Sequence, residues 1–161
     1  MATPEPQDIS LEAGGTQVRL RWTPVAGDWE LGSEPDWSRL EGIRLVGATF
    51  EDGATLGVAA VRPRDARGHG DDSVAARFVD AEGLQITPSD ALVSVEYDPA
   101  REPRRIGIEI WPDADSPPHR IAAERELAED TRPVSSRQFV PMTFRRDGIA
   151  GRGAYETLRQ G

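Results

Sequence analysis

The sequence predicts an all-β fold: a single antiparallel β-barrel, closed or nearly so, of about ten short strands with at most one short helix. Three observations carry this. Short apolar runs alternate with turn signals along the whole chain, at roughly the 8–12-residue spacing of all-β domains. Two of the turns are Asp-Gly pairs flanked by β-type runs, Asp52-Gly53 and Asp147-Gly148, the strongest short-range hairpin signal. No segment sustains a long helical period.

The elements follow in order. Residues 1–8, with Pro4 and Pro6, read as a disordered lead-in, and residues 9–161 as one barrel domain. Ile9 and Leu11 precede the turn Ala13-Gly14-Gly15. Val18, Leu20 and Trp22 then alternate with Gln17, Arg19 and Arg21, a two-residue period that defines a half-buried strand ended by Pro24. Ile43–Phe50 and Thr55–Val61 flank the Glu51-Asp52-Gly53 turn. Ser73–Val79 runs into a turn at Asp80-Ala81-Glu82-Gly83, and Leu84–Thr87, Leu92–Tyr97 and Arg105–Trp111 follow. His119–Leu127, Gln138–Arg146 and Ile149–Leu158 complete the set, the last two joined at Asp147-Gly148. Helix signals are weak. Trp37–Leu40, capped by Asp36, suits one short helix, and Ala122–Glu129 (AAERELAE) reads equally as a helical turn or as an edge strand running long.

A chain of 161 residues is long enough to bury one ordinary core. Cysteine is absent, which excludes disulfides, thiolate nucleophiles, Fe–S clusters and thiolate zinc sites. Lysine is absent too, excluding Schiff-base chemistry and a P-loop lysine. The Arg-only, Ala/Gly/Pro-rich composition is that of a high-GC bacterial genome. A net charge of −9, with no basic cluster beyond Arg104-Arg105 and Arg145-Arg146, argues against nucleic-acid binding. The longest apolar run, Leu56–Val61, is far shorter than the ~20 residues of a membrane span, and Met1–Asp8 carries no signal-peptide pattern. A cytoplasmic location, no membrane association and no cofactor are expected.

Chemistry is sparsely signalled. The two histidines, His69 and His119, lie in loop-like stretches without ligand spacing to each other. His69 with Asp71 and Asp72 is the nearest approach to a metal cluster and reads better as a solvated Gly-rich loop, so no metal is expected. No nucleophile elbow or phosphate-binding loop is present. Aromatic side chains are more informative. Trp29 and Trp37 fall in the irregular stretch from Gly27 to Ser38, where they either plug one end of a barrel or line a pocket mouth. Trp29, Trp37, Trp111, Tyr97 and Tyr155 form the candidate ligand-binding set.

Three polar residues sit between apolar neighbours in predicted strands: Glu109, Glu96 and Arg77. In Arg105–Trp111, alternation turns inward either Ile106, Ile108 and Ile110 or Gly107, Glu109 and Trp111, and the pattern alone leaves both open. With the isoleucines inside, Glu109 is solvated. With the other face inside, Glu109 and Trp111 become pocket residues. Glu109, Glu96 and Tyr97 are the candidate acids for any catalysis in the lumen.

Two segments carry a family resemblance. Trp37 followed by GIRLVGATFEDG (residues 42–53), and FRRDGIAGRGAYE (residues 144–156), resemble hairpins of the lipocalin-related proteins that include hydroxyneurosporene synthase and AttH-like proteins. They cover a minor share of the chain. The resemblance implies a lipocalin- or calycin-like barrel and a preference for apolar ligands. Family members typically carry two such barrels in tandem. This chain has room for one, resembling the C-terminal barrel, which implies pairing with itself as a homodimer or with a separately encoded barrel protein. The His-Asp-His-Ser-Trp-Gly-like segment of some tandem relatives is missing, so their hydratase or cyclase activity is not carried over.

The expected function is binding of a hydrophobic small molecule, such as a terpenoid, steroid or polyketide, in the barrel cavity. The alternatives are a cyclase, isomerase or hydratase acting in the same cavity, and a packed interaction module without a ligand.

Overall fold

The computed structural model describes residues 5–24, 28–126 and 137–159. Twelve strands lie within them, joined by antiparallel ladders into two sheets. β1 (Gln7–Ala13), β2 (Thr16–Thr23) and β3 (Asp28–Leu31) form the smaller sheet. The larger contains β4 (Leu40–Phe50), β5 (Thr55–Pro63), β6 (Ser73–Val79), β7 (Gln85–Ile86), β8 (Asp90–Tyr97), β9 (Pro103–Trp111), β10 (His119–Arg125), β11 (Arg137–Arg146) and β12 (Ile149–Leu158). Its order is β7-β6-β5-β4-β12-β11-β10-β9-β8. This sheet curls into a half-barrel that brings β6 beside β8, although no ladder joins those two strands among the described residues.

Turn chemistry sets the registers. Gly14 and Gly15 at φ 60° and 78°, and Asp147 and Gly148 at φ 49° and 81°, make two-residue loops with positive φ at both positions. Such loops match the twist of the strands they join. The β4–β5 turn closes instead through Gly53, at φ 92°, with the Asp52 side chain accepting from the Ala54 N–H at 3.0 Å.

Both faces of the large sheet are used. Its concave face is filled by Val46, Leu56, Val58, Val93, Ile106, Ile108, Ile110, Ile121, Met142, Phe144 and Tyr155. Ile106, Ile108 and Ile110 therefore point inward, and Glu109 and Trp111 lie half-buried on the outer face. The small sheet packs against the outside of β4, β5 and β6, where Ile9, Val18, Leu20, Trp22 and Trp29 meet Ile43, Leu45, Ala59 and Val61. β5 is thus covered on both sides, which explains why Leu56–Val61 is a continuous apolar run instead of an alternating one. Each large side chain buried in these layers contributes about 1.5–3 kcal/mol of transfer free energy.

Several expectations are corrected. Trp37–Leu40 forms a turn, not a helix: the Arg39 N–H donates to Asp36 O and the Leu40 N–H to Trp37 O, after which the buried Leu40 enters β4. The segment 122–125 of Ala122–Glu129 is strand. It lies in β10 between β9 and β11, neither helical nor at an edge, because Ile121 and Ala123 pack on the inner face and tertiary burial overrides helix propensity. Residues 127–129 lie outside the described residues. β3 was not expected, and it takes Trp29 out of the supposed irregular stretch. β1 begins at Gln7, inside the stretch read as a lead-in, with Asp8 paired to Arg21 at 2.9 Å; residues 1–4 lie outside the described residues. The single helical element among the described residues is a three-residue 3-10 turn, His69–Asp71, and none is long and apolar enough to cross a membrane.

Candidate functional site

The inner face of the half-barrel is apolar in its middle and polar at its two ends, and each end forms a cleft. At one end the strand parity that buries Val140, Met142 and Phe144 also turns Arg146, the last residue of β11, inward. Its guanidinium lies between two rings, with Cζ 4.8 Å from the centroid of Phe50 and 5.0 Å from that of Phe78. Arg146 Nη2 also pairs with the Asp52 carboxylate at 2.6 Å. The Ala54 N–H is the main cause holding the Asp52 carboxyl below the usual carboxylate range, and the Arg146 charge adds to it. Phe50 in turn packs edge-on against Phe144, with centroids 6.5 Å apart and planes at 81°. Beside this stack opens a cleft of about 190 Å³ lined mainly by Phe78, Ile86, Pro88, Ile110, Pro112 and Ile121, with His119, Arg146 and Asp147 at its border.

The opposite end is built from charged and phenolic groups. Arg44 and Thr157 are register partners on β4 and β12 and share the inner face with Tyr155. Asp72, whose side chain is 2% exposed, bonds Arg44 Nη2 and Arg62 Nε, each at 2.9 Å. Arg44 Nη1 reaches the Val93 carbonyl on β8 at 3.3 Å, so one side chain ties β4 to an edge strand across the open seam. A cleft of about 100 Å³ lies here, lined by Arg44, Arg62, Tyr97, Tyr155 and Thr157 among others. Tyr155 is fully buried. Burial pushes its phenol well above the ordinary range, against the opposing pull of the Arg44 charge.

The residues singled out from sequence divide accordingly. Tyr97 and Tyr155 come together at the polar end. Trp29 is buried between the two sheets, its Nε1 donating to the Val46 carbonyl at 2.8 Å and its ring 6.3 Å from Trp22. Trp37 packs half-buried on the same outer layer and donates to Glu34 at 2.7 Å. Both indoles therefore serve the packing on the convex side and do not line the barrel interior. Trp111 and Glu109 are on the outer face, with Glu109 3.8 Å from Arg120, and Glu96 is exposed opposite Arg105 in the β8–β9 register. Arg77, also on the outer face of β6, donates to the Ala76 carbonyl, and burial lowers its pKa. In the His69 loop, Asp72 is taken by two arginines and Asp71 accepts from the Arg67 N–H. Among the described residues no three His, Asp or Glu side chains converge on a metal position.

Sequence reasoning missed Arg146, Phe78 and the Arg44–Asp72 pair. A signal was available for Arg146: it falls in step with Val140, Met142 and Phe144, so the parity that buries those three also turns it inward. Asp72 carried no such signal, because its partners come from β4 and β5.

No protein-family model matches the chain. No curated protein matches it either. Among solved structures it is similar to a crystal structure from Nitrosomonas europaea provisionally designated AttH, with a TM-score of 0.55 and 16% sequence identity. The match covers 88% of this chain and 48% of that one, so the chain spans about half the length of the structure it resembles. At this identity the likeness is one of fold: a distant AttH-like relationship, consistent with the resemblance of the two hairpin segments.

Proposed function

We propose that the protein binds a small uncharged apolar molecule at the mouth formed by Phe78, Ile86, Ile110 and Ile121. The observation that carries this reading is the cleft itself: about 190 Å³, walled almost entirely by apolar side chains, at the open end of a barrel whose middle is filled. Its one arginine, Arg146, is paired with Asp52 and covered by two rings, and the border residue Asp147 is acidic, so the site does not favour an anionic ligand. Size restricts the ligand further. Apolar cavities of roughly 150 Å³ hold a benzene-sized molecule, and drug-sized ligands need about 300 Å³ or more. The site therefore suits a single ring or the end of an isoprenoid or polyketide chain, not an enclosed steroid.

Catalysis in the lumen is less well supported. Glu109 and Glu96 face outward, and the carboxylates with a displaced pKa (Asp36, Asp52, Asp98 and Asp113) are all displaced downward, whereas a lumenal proton donor needs the opposite. The packed interaction module is favoured by one observation, the side chains that fill the concave face.

The test is a titration of isotopically labelled protein with benzene and with indole, followed by amide chemical shifts. Saturable shifts at Phe78, Ile86, Ile110 and Ile121, abolished when Ile86→Trp fills the mouth, are expected. Absence of shifts at these residues, or shifts indifferent to Ile86→Trp, would sink the proposal in favour of the packed module.

A further inference from the structure

We propose, resting on the apolar reading of the Phe78–Ile121 mouth, that its ligand is a ring bearing a neutral hydrogen-bond donor, a phenol-like hydroxyl. His119 and Asp147 at the rim receive that donor.

Strand parity puts a histidine where an aliphatic residue would continue the core. His119 opens β10 in step with Ile121 and Ala123, which are buried on the inner face, and its register partner on β9 is the buried Ile110. Its ring therefore belongs to the inner face, at the point where that face meets solvent. Ile121 pairs with Arg146, so Asp147 follows directly at the same end of the sheet. His119 and Asp147 both line the cleft and both are exposed. Neither side chain makes a hydrogen bond or an ion pair with another described residue. Arg146 differs on each count: it is paired with Asp52, covered by two rings, and its side chain is only 13% exposed.

The rim chemistry selects a donor. A carboxylate only accepts hydrogen bonds, and a neutral imidazole accepts at one of its nitrogens. The walls Pro88 and Pro112 have no backbone N–H to offer an acceptor. These walls are held in place, because the N–H and the hydroxyl of Ser89 both donate to the Trp111 carbonyl, at 2.8 and 3.1 Å. The cleft is thus formed before a ligand arrives. A hydroxyl on a ring seated among Phe78, Ile86 and Ile110 meets acceptors at the rim, whereas an ether oxygen in the same place faces a carboxylate. An ammonium is a poorer match than a hydroxyl. Its desolvation costs far more, and a pair with the exposed Asp147 returns little.

The experiment is a chemical-shift titration of the labelled full-length chain at pH 7 with phenol, toluene, anisole and benzylammonium. Toluene matches phenol in shape without the hydroxyl, and anisole keeps the oxygen without the donor. All of the first three should give saturable shifts at Ile110 and Ile121, with phenol binding about fivefold more tightly than toluene or anisole, the size of one net hydrogen bond. Phenol alone should also shift the His119 ring signals. In a purely apolar cleft the order reverses, because the hydroxyl gives up water and gains nothing. His119→Phe and Asp147→Gly, one at an exposed strand end and the other in a turn with positive φ, should each reduce the preference for phenol over toluene. Phenol binding no tighter than toluene, while toluene still saturates these sites, would overturn the donor class and leave the apolar reading standing. No saturable response to any of the four would overturn both. A preference for phenol that survives in both variants, or benzylammonium binding more tightly than phenol, would also overturn the assignment.

Discussion

The indole of Trp22 covers Gly57 so closely that a Cβ at position 57 would stand 2.5 Å from its Cε2 and Nε1 atoms. This contact is where the small sheet meets the outside of the half-barrel, and both sides of it are fully buried. Gly57→Ala must push the indole, and with it β2, away from β5. A loss of about 1–3 kcal/mol in stability is expected, the usual penalty for overpacking a filled core. Chemical denaturation followed by tryptophan fluorescence measures it; an unchanged midpoint would show that the two sheets are not packed as described.

Much of this architecture was legible in the sequence, and the gaps have physical causes. The alternation of Val18, Leu20 and Trp22 and the Asp147-Gly148 pair report local geometry directly, so β2 and the β11–β12 hairpin were readable. β3 is four residues long and too short to show a period. Ala122 and Glu124 favour helix as isolated residues, but the ladders to β9 and β11 decide otherwise. The charged cluster was hidden for a different reason. Arg44, between Ile43 and Leu45, looks like the solvent side of a half-buried strand. On β4 neither face is solvent, because the small sheet covers the outside, and that cover is a long-range fact. The one local trace of it was the unbroken apolar run in β5.

Asp72→Asn tests the clamp across the seam. It preserves shape while removing the charge that Arg44 and Arg62 share, each held at 2.9 Å. Breaking a fully buried pair costs about 3–5 kcal/mol, and the partial exposure of both arginines scales this down to about 2 kcal/mol. Since Arg44 also holds the Val93 carbonyl, amide hydrogen exchange along Leu92–Val95 should quicken by more than exchange in β11 or β12. Uniform acceleration would contradict a local clamp.

Acid should destabilise the protein in a defined window. The pKa of Asp52 is held down chiefly by the Ala54 N–H, and that of Asp98 chiefly by the Glu102 N–H and then by Arg125. A carboxylate depressed in the folded state contributes stability that is complete above its unfolded pKa, about 3.9, and lost as pH falls towards its folded value. Tm should therefore be insensitive to these two groups from neutral pH down to about pH 5 and fall below about pH 4. In Asp52→Asn and Asp98→Asn the fall should be shallower. Circular dichroism melts across this range provide the measurement, and an equally steep fall in both variants would refute the assignment.

Tyr155 sets the alkaline side. Its phenol is raised by burial, so ionisation is disfavoured in the folded state relative to the unfolded one. The sign is opposite to that of the aspartates: stability is complete below the unfolded pKa of about 10 and declines as pH rises above it. Tyr155→Phe removes both this liability and a buried hydroxyl without a regular partner. At pH 7 the variant should be as stable as the parent, or more stable by up to about 1 kcal/mol, with a smaller loss of Tm above pH 10. A marked destabilisation at pH 7 would mean that the hydroxyl is a structural bond to Arg44 or Tyr97.

Arg146 closes the other end through three partners at once: the Asp52 carboxylate and the faces of Phe50 and Phe78. Arg146→Met keeps an apolar stem for the two rings but abolishes both the ion pair and the cation–π contacts. Each such contact is worth about 0.5–2 kcal/mol when partly buried, and the ion pair about 0.2–1 kcal/mol because Asp52 keeps some solvent access. A total loss between about 1 and 5 kcal/mol is expected, the span of the three contributions together. The partition is separable. In a double-mutant cycle with Asp52→Asn, the coupling energy isolates the ion pair, and the remainder falls to the rings. If the coupling accounts for the whole loss, the stacking of Arg146 between Phe50 and Phe78 contributes nothing to closing the barrel end.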